Sequence, residues 1–211
     1  MHPVVVHGLL LVGTFHGDEV DAVDGSVWWA LTATELVPVQ IRVETVRDEV
    51  LDYGAGLDSG RRVSAPSLVD PPQLLIRADG FSAGALEVAQ PAAEWISLGE
   101  QSRFYDEEKS AWLTVSAFGE ASRPGSDPFS TPTVNYGLVA RRRDGARIEL
   151  MSPAVLDDAR PQVLWVGDLD RDGQADVIAD VSPKYGAKKI AIYLSSLPGP
   201  APSATFVTTG C

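Results

Sequence analysis

From Val39 to Val46 the chain reads Val-Gln-Ile-Arg-Val-Glu-Thr-Val, with apolar residues at alternate positions. That period of two is the mark of a half-buried β-strand. Shorter strand candidates are Leu74–Arg77 and Trp112–Val115. Tyr136–Ala140 and Ala146–Leu150 flank Arg141-Arg142-Arg143-Asp144-Gly145, where Asp-Gly favours the left-handed dihedrals of a hairpin turn. Three further strands are expected at Val163–Val166, Asp176–Val181 and Ile190–Leu194. Helical periodicity is weak, and only residues 87–100 and 105–112 read as short helical turns. Asp52–Pro72 and Glu120–Thr133 read as long loops, and Pro198–Pro202 as an extended connector.

The 19 Gly and 15 Pro that punctuate these runs fit a turn-rich β fold. The 211 residues are enough for one domain with its own core. The expectation is a single all-β domain over residues 1–211, built as a small β-propeller-like or sandwich architecture with a calcium-binding loop between strands. The chain is short for a full propeller of four-stranded blades.

Charge narrows the partners. With 17 basic and 29 acidic residues the formal net charge is −12, and no basic stripe with interleaved aromatics exists. Nucleic acid is therefore excluded as the expected partner, and a cationic protein surface is favoured. No run of 18 apolar residues is present, so no helical membrane span is expected. Met1-His2-Pro3 runs straight into Val4-Val5-Val6, which reads as a start that follows a removed export segment. The single cysteine, Cys211, has no partner within the chain.

The chemistry concentrates in Asp168-Leu169-Asp170-Arg171-Asp172-Gly173-Gln174-Ala175-Asp176. Asp168, Asp170 and Asp172 stand at loop positions one, three and five, Gly173 permits the sharp turn, Gln174 offers a backbone carbonyl, and Asp176 closes the set. All are oxygen donors, as a hard cation such as Ca²⁺ requires. Without a cation, two like charges 4 Å apart repel by ~4 kcal/mol at an effective dielectric near 20. Ala179 stands where an EF-hand has its bidentate Glu, and the following residues read as a strand, so this is no EF-hand. The plainer alternative is a solvated Asp-Gly turn. Trp165 to Ile178 resembles the calcium loop of integrin-type FG-GAP repeats and related bacterial propeller repeats, over about one repeat.

After Val181 comes an expected hairpin tip at residues 182–189, Ser-Pro-Lys-Tyr-Gly-Ala-Lys-Lys. Three lysines and Tyr185 on an acidic protein suit entry into an acidic cleft, although a solvated tip is the blander reading. An acidic calcium loop, a strand, and a Ser and Tyr three apart resemble the periplasmic inhibitors of invertebrate-type lysozyme and the immunity lipoproteins that guard bacteria against peptidoglycan-cleaving effectors of antibacterial secretion systems. Pro183 stands where those inhibitors usually have Gly. The resemblance covers residues 163–196. It implies a calcium-binding, non-enzymatic inhibitor in the periplasm. Its partner would be a peptidoglycan hydrolase contacted through Ser182, Lys184 and Tyr185, and any membrane tie would be a lipid anchor outside this chain. A calcium-stabilised adhesion or glycan-binding module is the alternative, with Trp28, Trp29, Trp95, Trp112 and Trp165 as platform candidates that at strand positions are more often core. A hydrolase would need a carboxylate pair in one cleft, and the sequence names none. Asp18, Glu19, Asp21 and Asp24-Gly25 form an acidic cluster that reads as a hairpin turn with solvated neighbours, with a second cation site as the less favoured alternative, and Asp106-Glu107-Glu108 reads as a solvated turn. His2, His7 and His16 lack metal-ligand spacing, and neither a nucleophile motif nor a Cys/His pair appears.

Overall fold

The computed structural model describes residues 4–48, 52, 58–91, 94–121, 133–156, 159–197 and 201–209. Met1-His2-Pro3, most of the Glu120–Thr133 segment, residues 198–200 of the expected connector, and Cys211 lie outside the described residues. Among the described residues seventeen strands follow one another: β1 Val5–Leu10, β2 Gly13–Phe15, β3 Val27–Leu31, β4 Glu35–Gln40, β5 Arg42–Val46, β6 Gly60–Ser64, β7 Leu74–Asp79, β8 Gly84–Ala85, β9 Glu94–Trp95, β10 Gln101–Tyr105, β11 Ala111–Ala121, β12 Thr133–Arg142, β13 Arg147–Leu156, β14 Gln162–Gly167, β15 Asp176–Asp180, β16 Ala187–Tyr193 and β17 Ala204–Thr209. Among the described residues there is no α-helix, only a 3-10 turn at Gly17–Glu19. The protein is all-β; across the described residues its four sheets are antiparallel, and none closes into a barrel.

The chain divides into two compact units, Met1–Ala85 with Phe206–Thr209, and Leu86–Thr205. The first holds sheets ordered β1-β7-β3-β4-β8 and β2-β6-β5. Its buried residues include Leu10, Trp28, Leu31, Leu36, Ile41, Leu75 and Ile76. The alternating run from Val39 to Val46 is two strands and not one. It breaks at Ile41, whose amide donates to Ser26 O and whose carbonyl accepts from Gly25 N, at 3.0 Å each, and the chain passes there from one sheet to the other. The segment expected as a loop from Asp52 to Pro72 contains β6, paired with both β2 and β5. Phe206 meets Phe15 edge-to-face, and Glu19 accepts from the Thr208 hydroxyl at 2.7 Å and from Thr209 N at 2.6 Å.

The second unit holds a meander β10-β11-β12-β13 and the antiparallel strands β16-β15-β14-β9 of a further sheet. One cluster of buried side chains draws on both, with Phe104, Trp112, Leu113, Leu138, Ile148, Val163, Val177 and Tyr193 among its members. A sandwich describes this packing. Two tyrosines stitch it from inside. The Tyr193 hydroxyl on β16 donates to Leu150 O on β13, and Tyr136 on β12 donates to Ile96 O at 2.7 Å. Burial pushes both phenols up, Tyr193 to about 12, so both stay protonated donors at every ordinary pH. Tyr136→Phe should cost about 1–2 kcal/mol in urea unfolding, because it strands a buried carbonyl. A loss below a few tenths would show the bond to be idle.

Among the described residues the helical turns expected over 87–100 and 105–112 do not form. Residues 87–100 instead supply β9 and a strap over β14, with Ala89 N donating to Val166 O at 2.9 Å. Residues 106–110 form a turn in which Lys109 takes a φ of 61° and the Asp106 carboxylate caps Ser110 N at 2.7 Å. Trp28, Trp112 and Trp165 are buried, whereas Trp95 is 44% exposed with Arg160 5.5 Å over its ring.

Candidate metal centre

The acidic loop joins β14 to β15, which pair with each other. Its entry is set by Gly167. A Cβ there would lie 2.5 Å from Glu87 O and 2.5 Å from the Trp165 ring, so only glycine lets the strap 87–89 pass. Asp168 N donates to the same Glu87 O at 3.0 Å. The loop then turns twice through left-handed backbone, at Arg171 with φ 61° and Gly173 with φ 82°. Gly173 is where the sequence requires it. Arg171 is exposed.

Asp168, Asp170 and Asp176 each offer an oxygen, and these oxygens lie within 4.8 Å of one another. Backbone amides hold the carboxylates in place. Asp168 accepts from Asp172 N and Gly173 N, both at 2.9 Å. Asp176 is fully buried and accepts from Leu169 N at 2.8 Å, Asp170 N at 3.2 Å and Ser195 N at 2.6 Å. Asp170 takes the Ser196 hydroxyl on Oδ2, while its Oδ1 is sealed from solvent with no hydrogen-bond partner. Burial, reinforced by the neighbouring carboxylates, raises the pKa of Asp168 and Asp170 and lifts that of Asp176 well above the ordinary range. An orphaned buried carboxylate oxygen beside two other desolvated carboxylates is a donor set that suits a hard cation.

Asp172 and Gln174, also expected as ligands, sit differently. Asp172 is exposed, outside the group of three, with Oδ1 accepting from Gln174 N at 2.8 Å and Oδ2 from the Ser195 hydroxyl at 2.7 Å. Gln174 is partly buried. Ser195 and Ser196 are the residues the sequence reading missed. They lie 19 or more positions from their carboxylate partners, and no local spacing marks them. Arg142 on β12 also reaches the loop, donating from Nε to Ala175 O at 2.8 Å.

The expected tip at 182–189 is a shorter connection, because β16 already begins at Ala187 and pairs with β15 from Asp180↔Ile190 to Val177↔Tyr193. Lys184, Tyr185, Lys188 and Lys189 are exposed, Tyr185 at 86%. Ser182 is not among them. It is 7% exposed, and its Oγ donates to Asp180 Oδ1 while accepting from Lys189 N at 2.7 Å. Ser182 therefore pins the base of the connection and is not presented to a partner.

The first unit has a second polar cluster that the sequence did not reveal. His16 pairs with the buried Asp48, whose amide donates to the buried Asp52 at 2.8 Å. Ser59 donates to Asp52 through N at 2.7 Å and Oγ at 2.8 Å. The hydrogen bond to Asp48 raises the His16 pKa, and the Ser59 and Asp48 amides lower that of Asp52. Every group is satisfied internally, as in a structural lock. Glu19, expected as a solvated neighbour of a turn, is likewise committed, to Thr208 and Thr209.

Comparison of this chain with protein-family descriptions, with curated proteins and with solved structures gives no match.

Proposed function

We propose that the acidic loop binds calcium and that the protein is a calcium-braced inhibitor, or immunity protein, of a lysozyme-like peptidoglycan hydrolase. The observation that carries this reading is the β15–β16 connection. It holds Tyr185 at 86% exposure next to exposed Lys184, with exposed Lys188 and Lys189 at the start of β16, on a protein whose net charge is −12. Muramidase clefts work through two carboxylates. A lysine ammonium placed between them satisfies and blocks both, and an exposed tyrosine supplies the aromatic anchor that dominates such interfaces. Ser182 and the calcium loop, at opposite ends of β15, keep the tip in one conformation before the encounter, which lowers the ordering cost of binding. The protein itself carries out no reaction in this reading. It works in the periplasm, tethered if at all by a lipid anchor outside this chain. The four-stranded meander β10–β13 supports the finer, propeller-like description, since it has the strand count and order of one blade.

Tyr185→Ala should leave the melting temperature unchanged while lowering affinity for a muramidase by roughly 30-fold, the effect of a 2 kcal/mol hot spot. The measurement is protection of peptidoglycan from lysis by a panel of muramidases in calcium. Undiminished protection by a Lys184→Ala/Tyr185→Ala variant would remove the tip from the mechanism. The adhesion or glycan-binding alternative keeps one supporting observation, the exposed Trp95, and calcium-dependent binding to a sugar array with no hydrolase affinity would favour it.

A further inference from the structure

Three carboxylates of the loop are held from a single place outside it. Ser195 and Ser196 follow β16 after one intervening residue, Leu194, and between them they donate to three aspartates. Ser195 N reaches Asp176 Oδ1 at 2.6 Å, Ser195 Oγ reaches Asp172 Oδ2 at 2.7 Å, and Ser196 Oγ reaches Asp170 Oδ2. The loop's own amides serve Asp168 and the other oxygen of Asp176. The donation from Ser196 decides which Asp170 oxygen is spoken for, and it leaves Oδ1 as the sealed oxygen with no partner. A carboxylate has about four acceptor sites, so a donor on one oxygen fixes the group's rotation without exhausting its capacity for a cation.

We propose that Ser195 and Ser196 are positioning residues of the cation site, and that cation binding and the anchorage of the chain leaving β16 are one linked equilibrium. This rests on the reading of the loop as a cation site. Ser196 sets the rotamer of Asp170 so that Oδ1 faces the ion. Ser195 ties Asp172 and Asp176 to the same two-residue step. Because the coupling is reciprocal, the ion must protect the Ser195 amide, and loss of the hydroxyls must weaken the ion. Partners of this kind typically change metal affinity 10- to 100-fold.

The test is calcium titration by calorimetry on the full chain, with melting in chelator as the fold control. Ser196 is exposed, so Ser196→Ala has no packing to lose. Ser196→Ala should bind calcium about tenfold more weakly while melting like the wild type in chelator. Ser196→Thr, which keeps the hydroxyl, should restore the affinity. Hydrogen exchange at the Ser195 amide should slow when calcium is added to the wild type. A Ser196→Ala protein that binds calcium like the wild type would overturn the positioning role, as would one that only melts lower in chelator with its affinity intact. A wild type that binds no calcium at all is a different result, and it would remove the cation reading beneath the inference.

Discussion

Asp176→Ala should destabilise the protein by about 3 kcal/mol or more, in chelator as well as in calcium, because it removes one acceptor from three backbone donors at once. Leu169 N, Asp170 N and Ser195 N all end on this fully buried carboxylate. Each buried N–H left without a partner costs about 1–3 kcal/mol. Some of this is offset, since the carboxylate is itself desolvated and stands beside Asp170. Asp176→Asn separates the two contributions. It keeps an acceptor oxygen and removes the charge, so in chelator it should lie between alanine and wild type, while its response to calcium is lost. Asp168→Ala should cost less in chelator, because its donors, the amides of Asp172 and Gly173, belong to exposed residues that water can serve. Urea unfolding of the four proteins in chelator measures the series. An Asp176→Ala protein within 1 kcal/mol of the wild type would mean that water replaces the carboxylate and that the loop is not organised around it.

That series also shows which part of the site was legible beforehand. The spacing of Asp168, Asp170, Gly173 and Asp176 is local, and local spacing is what a loop of this kind reads out. The role of Asp176 was not legible as it stands. By spacing it is one ligand among five; by burial and donors it is the centre that organises the loop. Ser195 and Ser196 were invisible for a related reason, since strand pairing brings them to the loop from 19 or more residues away. The strands obeyed the same division. Short apolar runs marked β7, β11, β14 and β16, and the apolar residues of those runs are nearly all buried. The pattern missed β6, Gly60-Arg61-Arg62-Val63-Ser64, where only Val63 offers a large apolar side chain and pairing on both sides does the rest. It missed β17 behind a proline-rich stretch. It also joined β4 to β5, because alternation continues through Ile41 while the chain changes sheet there. The tip was placed almost correctly. However, sequence could not tell that Ser182 faces inward onto Asp180 while Tyr185 faces out.

Calcium at about 100 times its dissociation constant should stabilise the folded protein by about 2.7 kcal/mol. For a chain of this size that is roughly 5–10 °C in the transition of the unit that carries the loop, at 2–4 °C per kcal/mol. The gain should depend on pH in a definite direction. Asp168, Asp170 and Asp176 have folded-state pKa values raised by burial and by one another. A carboxyl raised in this way holds its proton more firmly when folded. Its stabilising contribution is complete below the unfolded value, near 3.9, and is lost as pH rises through the folded value. The calcium-free protein at neutral pH therefore bears the cost of holding three desolvated carboxyl groups together, whether by ionising them or by retaining protons on them, and on the proposed reading calcium relieves that cost. Asp52 and Asp106 act in the opposite sense. Their pKa values are lowered, Asp52 by the Ser59 amide first, and Asp106, despite its burial, by Ser110 N and Arg143. Their contribution is present above the unfolded value and fades as pH falls, with or without calcium. The difference between melting curves in calcium and in chelator cancels them and isolates the loop. That difference should be largest near neutral pH and should shrink steadily as pH falls toward the carboxylate range, where protons and calcium compete for the same oxygens. A calcium-induced shift that is flat from neutral pH down to pH 4 would place the ion somewhere other than these three aspartates. Identical curves in calcium and chelator at neutral pH would show that no folding-linked site exists.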